Sequence, residues 1–164
     1  MEIAQFSKLI VARENPSSLV HAARTAVAAV LSYLAARLFR LPEAYWAPIA
    51  TLLVMQSQLG GALPISAQYF AGTAIGAAVG AAAAIYFGGS PWAFGIGVFL
   101  IGILCAVLRV ERSAYRYASV TLAIVMLVPR FTSVSLIAIH RFFEVSLGIA
   151  VGLVLSAFWP EREV

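Results

Sequence analysis

Aspartate is absent from this 164-residue chain, and lysine and cysteine each occur once. The acids are seven glutamates, and only two histidines are present. Neither His21 nor His140 has a second ligand at metal spacing, so no metal site or cofactor is expected. No pair of acids shares a run, and there is no GxSxG, histidine cluster or phosphate loop. Enzyme chemistry is therefore not expected. The single Cys105 lies in an apolar stretch and excludes a disulfide framework. Charge is scarce too, at 11% of residues, against about 25% in an average soluble domain.

What fills the chain is hydrocarbon: 62% of residues are hydrophobic. A fold of this size has too little interior to hide that surface from water, so lipid is the expected partner for the remainder. Ten of the eleven cations are arginines, and the net charge is +4. These cations flank apolar runs, which points to membrane topology rather than to nucleic acid. No small-residue cleavage pattern follows the first apolar run, so it reads as a span and not a removed signal.

The pattern predicts an all-α integral membrane protein with six transmembrane helices, since a crossing takes about 20 apolar residues. The expected spans are Leu19 to Leu38, Ala44 to about Gln58, Ile65 to Phe87, Trp92 to Leu108, Ala114 to Val128, and Val134 to Trp159. The stretch Leu59-Gly60-Gly61-Ala62-Leu63-Pro64 reads as a break. Residues 1–18 are expected to form an N-terminal interfacial segment, 19–160 the six-helix domain, and 161–164 a polar tail. Trp46, Trp92 and Trp159, with Tyr45, Tyr86 and Tyr115, fall near span ends as an aromatic belt would. With a cytoplasmic N-terminus, that side receives Lys8, Arg13, Arg24, Arg109, Arg112, Arg116 and Arg162, and the other receives Arg37, Arg40, Arg130 and Arg141. The bias places both termini in the cytoplasm, with Arg24 and Arg116 snorkelling from within their helices.

The chain resembles itself at a spacing of 70 to 72 residues. Ala44-Tyr45 and Thr51-Leu52 recur as Ala114-Tyr115 and Thr121-Leu122, Gly76 and Gly80 recur as Gly148 and Gly152, and Arg37 matches Arg109. The repeating unit is three helices, over about 19–87 and 92–159. Three is odd, so the second copy enters the membrane upside down: a 3+3 inverted repeat, an architecture of transporters with a site between the copies. Gly72, Gly76 and Gly80, and Gly148 and Gly152, form small-residue stripes for close helix packing, within one chain or between two.

Arg141 and Glu144 share one face of the sixth span. They read either as a structural bridge near the interface or as an anion anchor with a proton-coupling partner, Glu144 being the acid deepest in an apolar run. Pro48, Thr51, Met55 and Gln58 share a face that either lines a pathway or spends Thr51 on a backbone carbonyl. The candidate substrate-binding residues are Tyr45, Trp46, Thr51, Gln58, Tyr115, Thr121 and Arg141.

Tyr45-Trp46-Ala47 with Thr51, Gly72-Thr73-xx-Gly76, Tyr117-Ala118, Arg141-xx-Glu144-xxx-Gly148 and Trp159-Pro160 together resemble the fusaric acid resistance family, the aromatic acid exporters. The resemblance spans Leu19 to Pro160 and implies an inner-membrane protein exporting aromatic or other organic acids, driven by protons. Tyr45, Trp46, Gly72, Thr73, Arg141 and Glu144 are the family-matching residues. Members often carry an arginine three residues before the Gly-Thr pair, where this chain has Tyr69. Many also have two six-helix bundles and cytoplasmic domains. A homodimer or higher homo-oligomer is the expected way for one bundle to act. The competing expectations are a non-transporting assembly protein and a passive organic-anion channel.

Overall fold

Lipid offers no hydrogen bonds, so a chain this apolar has to satisfy its backbone internally, and helices do so within one segment. The computed structural model describes residues 19–55, 59–128 and 133–159. The described residues form six helices: α1 Leu19–Leu38, α2 Trp46–Met55, α3 Leu59–Phe87, α4 Pro91–Val107, α5 Arg112–Leu127 and α6 Val134–Phe158. The proposed interfacial segment, Gln58 and the polar tail lie outside the described residues. By length and composition α1, the part of α3 from Gly61, and α6 suffice to cross a membrane. Over its ten described residues α2 rises about 15 Å.

The expected break at Leu59–Pro64 is not there; α3 runs through it with Pro64 inside. Two glycines and a proline weaken a helix in water, but in lipid each open backbone group costs several kcal/mol, and the helix persists one hydrogen bond short. Pro48 sits in the first turn of α2, where a missing N–H costs nothing.

The tight turns repeat. After α1, the Leu41 N–H donates to the Ala36 carbonyl and Arg40 to Arg37, with Arg40 at φ 55°. After α4, Val110 donates to Cys105 and Arg109 to Ala106, with Arg109 at φ 52°. Both are Schellman-type ends with an arginine in the left-handed position usually given to glycine. The structural counterpart of Arg109 is therefore Arg40, not Arg37.

Packing is organised by two glycine crossings. A Cβ on Gly76 would strike the Ala118 carbonyl, and one on Gly148 would strike that of Ala47. Further along, Gly80 meets Leu122 and Val125, while Gly152 meets Thr51 and Val54. Rising numbers pair with rising numbers, so α3 runs parallel to α5 and α6 parallel to α2. The contacts match α2 to α5 at a spacing of 71, as from Ala47 to Ala118, rather than the 70 expected from Ala44 and Ala114. Between these pairs, α3 and α6 cross in opposite senses, with Phe70 against Phe142 and Ala77 beside Ala138. Helix α1 packs on α2 and α6, and α4 packs on α5 and α3. The glycine stripes are thus consumed inside the chain.

Arg24 is buried, not snorkelling: its Nη1 donates to the Trp159 carbonyl at 2.9 Å, just past the end of α6. That carbonyl lies at the negative end of the helix dipole, where a cation is favoured. Arg116, in contrast, is exposed.

Candidate functional site

Two buried charges lie together where α6 meets α2 and α3. Arg141 is 2% exposed and Glu144, one turn on, is fully buried. The Arg141 guanidinium carbon sits 3.6 Å from the centroid of the Trp46 ring, at the first residue of α2. Such a desolvated cation–π contact is worth about 2 kcal/mol. Arg141 also acts on the phenol of Tyr69, from α3, through a hydrogen bond and its charge. Tyr69 in turn lies 4.3 Å, centroid to centroid, from Tyr117 of α5. Helices α2 and α3 thus each bring an aromatic side chain to the guanidinium, and α5 backs the second with Tyr117.

Glu144 is placed by a backbone. Its Oε1 accepts the N–H of Glu43 at 2.9 Å, in the turn that opens α2. Glu43 Oε2 accepts the indole N–H of Trp46 at 3.0 Å, holding that ring over Arg141. The carboxylate therefore stands at the positive end of a short helix, where an anion is favoured. One guanidinium and two carboxyl groups share this cluster.

A shift of 72 residues carries Tyr69 to Arg141 and Gly72 to Glu144, the same shift that carries Gly76 to Gly148. A shift of 71 carries Trp46 to Tyr117. The two crossings thus hold a cation–aromatic pair and a phenol–phenol pair at matching places. Helix α5 starts at Arg112, five residues ahead of Tyr117, so its backbone runs across Gly72, where a Cβ would lie 2.5 Å from the Ala114 carbonyl. Helix α2 starts at Trp46 itself, and the space so freed accommodates the Glu144 side chain.

A family model described as fusaric acid resistance protein-like matches residues 27–155. The chain belongs to that family. It is 30% identical over 149 residues to the inner membrane protein YeeA of Escherichia coli K12, a match covering 88% of this chain and 42% of YeeA. The chain thus spans less than half the length of that relative. No solved structure matches.

Of the residues singled out from the sequence, the fold of this family member brings Trp46, Arg141 and Glu144 together. Tyr45 stacks on Trp46 at 5.4 Å but is half exposed on the outer side. Thr51 is spent on structure: its hydroxyl donates to the Gly148 carbonyl at 2.8 Å and the Ala47 carbonyl at 3.0 Å. Tyr115 packs on the α4 cluster of Ile101 and Cys105, apart from the Arg141 group. Thr121 is fully buried one turn beyond Tyr117, and Thr73 one turn beyond Tyr69; neither hydroxyl has a hydrogen-bond partner among the described residues. Sequence reasoning missed Glu43 and passed over Tyr69 as a departure from the family pattern. The sequence spacing held a signal for Tyr69, which stands 72 residues before Arg141 as Gly76 stands before Gly148.

Proposed function

We propose that this chain is an inner-membrane transporter that couples the efflux of aromatic or other organic acids to protons. The observation that carries the reading is the buried Arg141, capped by Trp46 and Tyr69 with Glu144 one turn away, in a family described by fusaric acid resistance. A guanidinium offers a fork of donors for a carboxylate, and the aromatic faces suit a ring attached to it. Glu144 is the proton-coupling group and Arg141 the anion anchor.

The site lies within a 3+3 inverted repeat of six spans with both termini cytoplasmic. What supports the inversion is the sense of matching helices: α3 and α6 run oppositely, and each lies parallel to the other copy's middle helix. What supports the internal axis is that Phe70 and Phe142, 72 apart, touch each other, as do Tyr69 and Arg141. The transporter acts as a homo-oligomer through its lipid-facing surfaces, because the glycine faces are occupied within the chain.

Flux of benzoate from proteoliposomes, with and without a pH gradient, tests the reading. Gradient-dependent flux is expected, and Glu144→Gln is expected to abolish it while the protein stays folded. Flux that follows membrane potential alone would make this an anion channel. No flux from an intact oligomer would make it an assembly component.

A further inference from the structure

We propose that Thr73 and Thr121 form a second site for the carboxylate of the permeating acid, one helical turn beyond the Tyr69–Tyr117 pair. The purpose of this site rests on the transport reading above; its place rests on burial and register. Four hydroxyl side chains are fully buried among the described residues: Ser32, Thr51, Thr73 and Thr121. Ser32 donates to the Ala29 carbonyl, and Thr51 to those of Ala47 and Gly148. Thr73 and Thr121 have no hydrogen-bond partner among the described residues. A threonine inside a helix commonly turns its hydroxyl back to the carbonyl four residues earlier, as Thr51 does, and these two do not. An unpaired buried donor is costly, so two of them in one crossing call for a ligand that pairs them.

Register puts the two hydroxyls together. Thr73 follows Tyr69 by four residues on α3, and Thr121 follows Tyr117 by four on α5. The helices are parallel, with Gly72 against Ala114 and Tyr117 and Gly76 against Ala118, and the two tyrosine rings meet at 4.3 Å. Residues four apart share a helix face, so the threonines stand about 6 Å further along, on the flank of the crossing that carries the rings. That flank looks toward Val145 and Ile149 of α6 and Ala50 and Val54 of α2, whose cluster takes in Tyr69 and Tyr117. Leu122, by contrast, packs on Ile101 and Cys105 of α4. At the other end of the row Arg141 bonds the Tyr69 phenol. A full cation holds a carboxylate tightly, whereas passage needs sites weak enough to leave. Two neutral hydroxyls donate charge-assisted bonds to the anion without neutralising it, so they receive it from Arg141 and release it more easily. The anion reaches them when this flank parts from the apolar wall of α6 and α2.

The chain has one cysteine, so Cys105→Ala gives a background without thiols. On it, Thr73→Cys, Thr121→Cys and Leu122→Cys are reconstituted in proteoliposomes and treated with a small charged methanethiosulfonate, and the modification is read by mass. Neither threonine substitution removes a hydrogen bond within the described fold, so both variants should assemble like the background. Thr73→Cys and Thr121→Cys are expected to react at least about tenfold faster than Leu122→Cys, and saturating benzoate to slow both about tenfold. The proposal is overturned if either reacts no faster than Leu122→Cys. It is equally overturned if benzoate leaves both rates unchanged, which would make water the occupant. Benzoate flux separates the two readings. Protection by benzoate without gradient-driven flux removes the transport reading and keeps the site. Gradient-driven flux without protection does the reverse.

Discussion

The α6–α2 crossing and the α3–α5 crossing have the same backbone geometry and opposite chemistry. Each is a glycine-bearing long helix laid parallel on a shorter one, with glycine against an alanine carbonyl. At matching places one holds Arg141 on Trp46 with Glu144 below, and the other holds Tyr69 on Tyr117 with Gly72 below. The deciding difference is where the shorter helix begins. Starting α2 at Trp46 opens room for a carboxylate; starting α5 a turn and a half earlier closes it. A small change in a helix start thus converts a packing contact into a charged site.

The largest expected effect tests what the crossings share. Gly76→Leu and Gly148→Leu each drive a side chain into a backbone carbonyl, which should cost about 3 kcal/mol or more. Gly95→Ala, with nothing near its added methyl, should be neutral or slightly stabilising. Thermal unfolding in detergent measures all three, and tolerance at just one crossing would break the equivalence. Next, Arg141→Met removes the buried cation over the Trp46 ring and should cost about 2 kcal/mol, whereas Tyr69→Phe removes one hydroxyl contact and should cost about 1 kcal/mol. Equal losses would mean that the arginine is no more than a packing residue.

Smaller effects sharpen the contrast. Trp46→Leu should destabilise more than Tyr117→Leu by about 1 kcal/mol, because a cation–π contact is lost rather than a ring stack. Thr51→Val should cost about 1–2 kcal/mol through its two carbonyl bonds, and Thr121→Val close to nothing. If Thr121→Val leaves stability alone but weakens benzoate flux, its buried hydroxyl serves a ligand.

Much of the architecture was legible because lipid makes apolar length informative. Leu19–Leu38 and the start of α6 at Val134 follow directly from hydrophobic runs. The Leu59–Pro64 stretch was misread because glycine and proline signals are calibrated on chains in water. Gly76 and Gly148 marked the two glycine crossings in the sequence, but the register of α5 and α2 against them was not legible. Short motifs such as Ala-Tyr recur by composition, while Ala47 and Ala118 gain meaning only from the glycines they meet. In the site, Arg141 and Glu144 stood out as charges in oil. Glu43 did not, because its turn looks like an ordinary polar connection until α6 is laid against it.

The bond from Arg24 to the Trp159 carbonyl has a consequence for how the chain closes. The Arg24 guanidinium ties the start of the first described helix to the end of the last, 135 residues apart, so neither end parts from the bundle without breaking a buried cation's bond.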